Sequence, residues 1–280
     1  MFASAFQSSR PEIPSYVRAR AEVRGVFART GATTRLLDSF ETGGLRLRTP
    51  NVAEGCEGVV LNTAGGLAGG DDAVMTFAVE RKADVTITTQ SAEKIYRADD
   101  RPATLAANLR VEAGGRLTWM PQETILFDGS RLKRALNIEL DERSSVIAAE
   151  MTVFGRVARG EQLAAGSFSD RWRIRRGGTL IFADDVRLDG EISEIMQMAA
   201  VGDGACAIAT LVHVAPNAEK GLQAVRVIID AAPVEGGASA WNGMLVVRLL
   251  ARDGATLRHD MLRALAALRE NRPLSRVWSC

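Results

Sequence analysis

Short segments in which apolar and polar residues alternate constrain the fold of this chain more than any other feature. Residues 75–80, 85–88 and 136–141 each place an apolar side chain at every second position. Alternation with a period of two puts the apolar side chains on one face of a β-strand. Residues 146–154 are apolar on both faces around Glu150, which predicts an interior strand. The recurrence of such segments predicts an all-β or β-dominated fold.

Few segments suggest helices. Apolar residues recur at helical spacing near the C-terminus, and residues 217–226 predict a short helix before residues 227–229. Residues 172–182 predict a hairpin that turns at Gly177 and Gly178. We expect a flexible leader over residues 1–14. No linker rich in Pro, Gly or Ser divides the remainder, so we expect residues 15–280 to form a single domain.

The overall composition excludes several classes of function. The 35 Lys and Arg residues balance 34 Asp and Glu residues, so the chain lacks the net charge of a typical nucleic-acid binder. Three widely spaced cysteines argue against a disulfide framework. The sequence has no run of 18 apolar residues and no signal-peptide pattern. We therefore expect a soluble cytoplasmic protein without membrane or nucleic-acid partners.

A glycine-rich loop at residues 62–72 is the densest motif. Four of its glycines fall within six positions, which indicates positive φ angles or a close approach of the backbone to a neighbour. A phosphate-binding Walker A loop would end in Lys and Ser or Thr, whereas Asp71 and Asp72 follow here. A Rossmann loop would open a helix, but the next segment reads as a strand. The remaining alternatives are a structural turn and a loop shaped for a partner or an ion path.

Two further polar stretches, residues 88–97 and 119–130, combine carboxylates, amides and cations with strand-forming residues. They could form a binding surface, or a polar network that is satisfied internally. No nucleophile elbow and no His or Cys pattern of a structural zinc site is present. The carboxylates of these stretches and of the glycine loop leave open a β-rich enzyme with an acid/base pair, although no spacing defines the pair.

These motifs, in this order and spacing, resemble the urease accessory protein D family, also called UreH. Residues 62–71, 88–97 and 121–127 carry the resemblance, together with residues 154–156 and 160–161. It covers about residues 20 to 278. The resemblance implies a single β-rich domain, with strands coiled into a helical, solenoid-like arrangement and about two α-helices.

The resemblance also implies a role. Members of the family are not catalytic and serve as scaffolds for nickel insertion into apo-urease. They bind accessory protein F, which recruits the GTPase G, and the complex docks on the urease apoprotein. Nickel is thought to pass from G through a tunnel in F and D. The resemblance thus implies no tightly bound cofactor, with nickel present only in transit.

A transfer path needs oxygen ligands that hold an ion weakly. We hypothesise that acidic side chains line this path, and that a second set holds the walls or contacts partners. The candidates for the nickel path are Asp71, Asp72, Glu93, Glu123 and Asp128. The structural or partner-contacting residues are Asn62, Gly65, Gly66, Gly69, Gly70, Thr89, Gln90, Lys94, Tyr96, Arg97, Pro121 and Gln122. The arginine-rich terminal helix, residues 257–269, is a candidate partner surface or a solvated helix packed by its leucines.

Overall fold

The computed structural model describes residues 18–52, 55–270 and 272–279, so the predicted leader lies outside the described residues. Strands dominate these ranges, which confirms the predicted fold class. The strands are β1 (Arg20–Thr30), β2 (Thr33–Thr42), β3 (Leu45–Arg48), β4 (Glu57–Asn62), β5 (Asp72–Val79), β6 (Asp84–Thr89), β7 (Glu93–Ile95), β8 (Ala103–Val111), β9 (Arg116–Trp119), β10 (Thr124–Leu126), β11 (Arg131–Leu140), β12 (Ser145–Phe154), β13 (Gly166–Arg176), β14 (Thr179–Gly190), β15 (Ala207–Val214), β16 (Glu235–Trp241) and β17 (Met244–Ala251). The α-helices are α1 (Ile192–Gln197), α2 (Leu222–Asp230) and α3 (Gly254–Leu268).

The strands form two sheets. Sheet A has the order β14-β13-β11-β8-β5-β1-β2, and the five strands from β13 to β1 run parallel. Sheet B has the order β16-β17-β15-β12-β9-β6-β4-β3, with β12, β9, β6 and β4 parallel. The short strands β7 and β10 pair beside β12.

The chain alternates between the sheets and so winds into stacked coils. One coil runs through β5, β6 and β7, the next through β8, β9 and β10, and the third through β11 and β12. Equivalent positions of successive coils pair directly: Asp72 aligns with Thr104, and Thr104 with Lys133. This arrangement confirms the solenoid-like fold, and it makes neighbours of residues that lie one full coil apart in sequence.

Two apolar cores hold the sheets and helices together. The larger core fills the space between the sheets and includes Phe77, Trp119 and Trp172. The second core lies between sheet B and helices α2 and α3. Helix α1 buries Ile192 and Met196 in the first core. No helix in the described ranges is long and apolar enough to cross a membrane.

The predicted hairpin and terminal helix are confirmed. Strands β13 and β14 join through Gly177 and Gly178, both with positive φ. Helix α3 buries the four residues predicted for its apolar stripe, Leu257, Met261, Leu265 and Leu268.

The other helices differ from the prediction. Helix α2 begins at Leu222 and includes the β-branched residues 227–229. The sequence pattern had predicted that the helix would end before these residues. It forms there because Val225 and Ile229, four residues apart, pack together into the second core. The short helix α1 was not predicted.

Candidate functional site

The polar stretches meet at one corner of the solenoid. Strand β7 pairs with β10, and β10 pairs with β12 of the following coil. The backbone N–H of Glu93 donates to the carbonyl of Glu123 at 2.9 Å. The glycine loop reaches this corner through Leu67, whose N–H donates to the carbonyl of Lys94 at 2.8 Å. The coil geometry therefore brings together three stretches that the sequence keeps apart.

The glycine loop packs tightly against β7. A Cβ atom on Gly66 would lie 2.5 Å from the Tyr96 ring and 2.6 Å from the Lys94 carbonyl oxygen. The Tyr96 hydroxyl donates to the carbonyl of Gly65 at 3.0 Å, and Gly65 has a φ of +78°. At Gly69 a Cβ would lie 2.5 Å from an alanine methyl. These contacts require glycine and explain the loop as a close-packed turn.

A cavity of about 80 Å³ opens at this corner and runs inward between the sheets. A cavity of this size holds several water molecules, since one needs roughly 10–15 Å³ by the same measure. Exposure falls along its lining. Gly65 and Lys94 are exposed, Asn62 and Glu93 are half-buried, and the residues at the inner end are buried. Those buried residues are Trp119, Gln122, Thr124, Arg134 and Glu150.

Glu93 is the acidic side chain near the open end of the cavity. Both of its carboxylate oxygens accept from the Asn62 side-chain amide, at 3.0 and 3.1 Å. Burial raises the pKa of Glu93 to about 7, although the hydrogen bond from Asn62 opposes the shift. The carboxyl group therefore changes charge near neutral pH, where a weakly held cation could compete with a proton.

A buried ion cluster closes the inner end. Arg134 donates from Nη2 to Asp170 Oδ2 at 2.7 Å and from Nε to Oδ1 at 3.0 Å. Its remaining donors reach the hydroxyls of Thr124 and Thr152 at 3.1 and 3.0 Å. Glu150 lies beside the guanidinium, with Oε2 3.1 Å from Nε. One guanidinium thus faces two carboxylates inside the protein.

Glu150 is only partly satisfied in this cluster. Its Oε1 accepts from the Trp119 indole N–H at 2.9 Å, whereas Oε2 is buried and accepts no hydrogen bond. Burial raises the pKa of the Glu150 carboxyl, and the adjacent Arg134 opposes that shift. Because Glu150 also lines the cavity, its free oxygen can contact a water or a hydrated ion there.

Sequence reasoning missed this cluster as a site, although the pattern contained a signal. Arg134 points to the same side of its strand as Leu132 and Leu136, two residues before and after it. Asp170 likewise points to the same side as the buried residues two positions before and after it. A charged residue in the apolar phase of a strand points into the core, where it needs partners.

Asp71 and Asp72 lie away from the cavity. The carboxylate of Asp71 accepts from the backbone N–H groups of Ala19 and Ala68, at 2.9 and 2.8 Å. Asp72 is exposed and accepts from the Thr104 hydroxyl of the next coil. These contacts anchor the end of the glycine loop to β1 and β8.

Glu123 and Gln122 bind the terminal helix. Arg258 of α3 donates through Nη1 to Glu123 Oε2 at 2.8 Å and to Gln122 Oε1 at 3.0 Å. The side-chain amide of Gln122 donates to the backbone carbonyl of Gln90 at 3.1 Å. The backbone N–H of Gln122 donates to the Thr89 hydroxyl at 2.9 Å. The predicted partner helix therefore turns one of its arginines inward, toward the candidate site.

The C-terminal tail also packs here. Trp278 is buried, and its indole N–H donates to the Thr88 hydroxyl at 3.0 Å. The Arg258 guanidinium lies 4.4 Å from the Trp278 ring centre. The Gln122 amide donates to the Val277 carbonyl at 2.7 Å. Residues 275–279 are thus part of the same network, which no local sequence pattern indicated; Cys280 lies outside the described residues.

Asp128 lies in a separate group at the solenoid corner. It pairs with Arg97 at 2.9 Å and accepts from the backbone N–H groups of Ala164 and Ala165. The Tyr96 ring meets Phe127 edge-on at 5.2 Å. This group stabilises the loop after β10.

The structure therefore distributes the five predicted carboxylates among different tasks. Of the five, Glu93 lines the cavity, Glu123 joins it only through a backbone hydrogen bond and pairs with Arg258, and the other three lie in loop contacts outside the cavity. Within the described ranges, no group of three or more His, Cys, Asp or Glu side chains is arranged to hold a metal ion.

Comparison of the sequence with known proteins identifies the family to which the chain belongs. Residues 19–279 match the sequence profile described as UreD urease accessory protein. Urease accessory protein UreD 2 of Methylorubrum populi is 49% identical, covering 97% of this chain and 94% of the relative. Urease accessory protein UreD of Methylobacterium sp. strain 4-46 is also 49% identical, with 97% and 99% coverage. The corresponding Xanthobacter autotrophicus protein is 47% identical, with 94% and 90% coverage. The chain belongs to the UreD family of urease accessory proteins.

Proposed function

We propose that this chain is a non-catalytic scaffold that helps to insert nickel into the urease apoprotein. In this proposal it works in the cytoplasm and binds accessory protein F, which recruits the GTPase G. The assembly then docks on the apoprotein. Nickel is the cargo, and the chain passes it on without retaining it as a resident cofactor.

The observation that carries the proposal is the cavity that begins near Glu93 and ends over Glu150. Both side chains offer carboxylate oxygens, and the opening lies among polar residues. Nickel transfer requires ligands that release the ion, and oxygen donors with bound water hold Ni²⁺ less tightly than thiolate or imidazole cages do. In this path Glu93 receives the ion and Glu150 is the next carboxylate inward.

The other predicted acids support the walls of this path. Glu123 is paired with Arg258, Asp128 with Arg97, and Asp71 with backbone amides. Such pairing fixes loops around the opening and leaves Glu93 as the predicted acid that lines the cavity.

Urease activation with purified components tests the path. Apo-urease is incubated with accessory proteins F and G, GTP, Ni²⁺ and either wild-type chain or a variant. We expect Glu93→Gln and Glu150→Gln to lower the rate of activation severalfold. The matched control is Asp72→Asn, which neutralises an exposed acid outside the cavity and should activate normally.

Two results would overturn the path. One is normal activation by both folded cavity variants, which would remove any role of the cavity in transfer. The other is an equal loss with the Asp72 control, which would attribute the effect to general surface charge. Circular dichroism and co-purification with protein F show that each variant is folded and assembled.

A further inference from the structure

The outer face of sheet A carries a shallow basin, here called the basic basin. It has a volume of about 690 Å³ and lies over strands β8, β11, β13 and β14. Its floor consists of small side chains, among them Ala106, Ala135, Ser167 and Ser169, all half-exposed. Sheet B, in contrast, is covered by α2 and α3. Parallel strands are usually covered on both faces, so an open face of this kind is a candidate for protein contact.

Three exposed cations surround this floor: Lys133, Arg171 and Arg187. Lys133 and Arg187 flank Ser169 on the two neighbouring strands. Arg171 lies two residues further along β13. With strands about 4.8 Å apart and residues about 3.4 Å apart along a strand, the three positions span about 10 by 7 Å.

None of these three side chains has an ion-pair or hydrogen-bond partner among the described residues, whereas several other arginines on the same face do. Arg24 pairs with Glu22, Arg110 with Glu112, and Arg175 with Glu139 at 3.3 Å. In the basin, Asp185 is already bonded to Arg173 at 2.6 Å. Against the three cations the lining then offers one further exposed acid, Asp189, so the basin carries a net positive charge although the chain as a whole is near neutrality.

We propose that the basic basin binds an acidic segment of a partner protein. Its small floor allows a polypeptide to approach the sheet, and the serine hydroxyls can donate to carboxylates. The three backbone positions lie about 8 to 10 Å apart, and their long side chains can reach carboxylates on alternate residues of an extended segment, which are about 7 Å apart. A nucleic acid fits less well, because the chain as a whole is near neutrality and the three cations form one compact group, not a basic track along the sheet. This proposal does not depend on the nickel path.

Fluorescence anisotropy with the purified full-length chain tests the basin. The probe is a short fluorescein-labelled peptide of alternating glutamate and alanine, and the matched probe has glutamine in place of glutamate. We expect the acidic probe to bind at low ionic strength and the glutamine probe not to bind. The triple variant K133Q/R171Q/R187Q should weaken binding about tenfold, since each exposed charge contact contributes a factor of a few.

The control variant is R24Q/R110Q/R175Q, which removes the same number of charges from the same face at paired positions. It should bind the acidic probe within about twofold of wild type. Equal weakening by the two variants, or no effect of the triple variant, would overturn the proposal. If the wild-type chain binds duplex DNA and the triple variant does not, the basin is a nucleic-acid site instead. Thermal unfolding of each variant establishes that the sheet is intact.

Discussion

Replacement of Glu93 by glutamine should change how the stability of this protein depends on pH. Burial raises the pKa of this carboxyl to about 7 in the folded chain, compared with about 4.3 in an unfolded chain. The folded state therefore binds the proton more tightly than the unfolded state does. Below about pH 4.3 the carboxyl is protonated in both states, so Glu93 does not lower the free energy of unfolding. Between about pH 4.3 and pH 7 it lowers the free energy of unfolding by an increasing amount. At about 1.4 kcal/mol per pKa unit, the full cost well above pH 7 is about 4 kcal/mol.

Glutamine is nearly isosteric and has no proton to lose, so the variant avoids this cost. Between about pH 5.5 and pH 8, we expect the free energy of unfolding of Glu93→Gln to rise by about 2 kcal/mol relative to wild type. Urea unfolding in the presence of a chelator, analysed by linear extrapolation, measures the difference at each pH. The Asp72→Asn variant, which neutralises an exposed acid, provides the reference for general charge effects.

Parallel pH profiles for wild type and Glu93→Gln would refute this reasoning. They would mean that water reaches the carboxylate as freely in the folded chain as in the unfolded one. A gain limited to low pH would have the wrong sign and would refute it equally.

Substitutions at three other places test the packing around the site, each by urea unfolding. Arg134→Met leaves buried carboxylates without their cation and should cost about 3–5 kcal/mol, whereas Glu150→Gln keeps the aspartate pair and should cost far less. Trp278→Ala removes a buried indole and should cost about 3 kcal/mol and make the C-terminal tail sensitive to protease. Gly66→Ala forces a methyl group into a tyrosine ring and a carbonyl oxygen and should cost at least about 2 kcal/mol, whereas Gly65→Ala meets open space and should cost only about 1 kcal/mol for its positive φ.

Each of these expectations can fail in a distinct way. Equal losses for Arg134→Met and Glu150→Gln would show that the cluster is not held by its single cation. A Trp278→Ala protein with wild-type stability would show that the tail does not stay docked in solution. Equal losses of stability in Gly65→Ala and Gly66→Ala would mean that the loop requires glycine for its backbone conformation and not for the close contacts of Gly66.

Local patterns predicted those strands along which burial alternates, but not β2 and β16, which are mostly exposed. In β5 and β11 every second residue is buried, and the apolar phase matches that inner face. The hairpin at Gly177 was likewise encoded within a few residues. The stacking of strands into coils depends on pairing between segments a full coil apart, and it entered the prediction only through the family resemblance.

The site was predictable only in part for the same reason. Glu93 and Glu123 were identified as candidates, but the partners that decide their roles come from other coils or from α3. Arg134 meets Asp170 through a register between two strands, and the hydrogen bond spans 36 residues. A single sequence shows which side chains are polar but not which of them face each other across a sheet.

The docked tail has a consequence for how the chain acquires its structure during synthesis. Ser275 donates to Glu57, 218 residues earlier, and the Trp278 indole donates to Thr88, 190 residues earlier. Ser275 and Trp278 are synthesised long after Glu57 and Thr88, and thus complete a surface begun in the first third of the sequence. Contacts of such long sequence separation form slowly, and sheets awaiting them expose apolar surface in the meantime. A nascent chain that stops short of Trp278 should therefore be prone to aggregation, even with most of its strands already made.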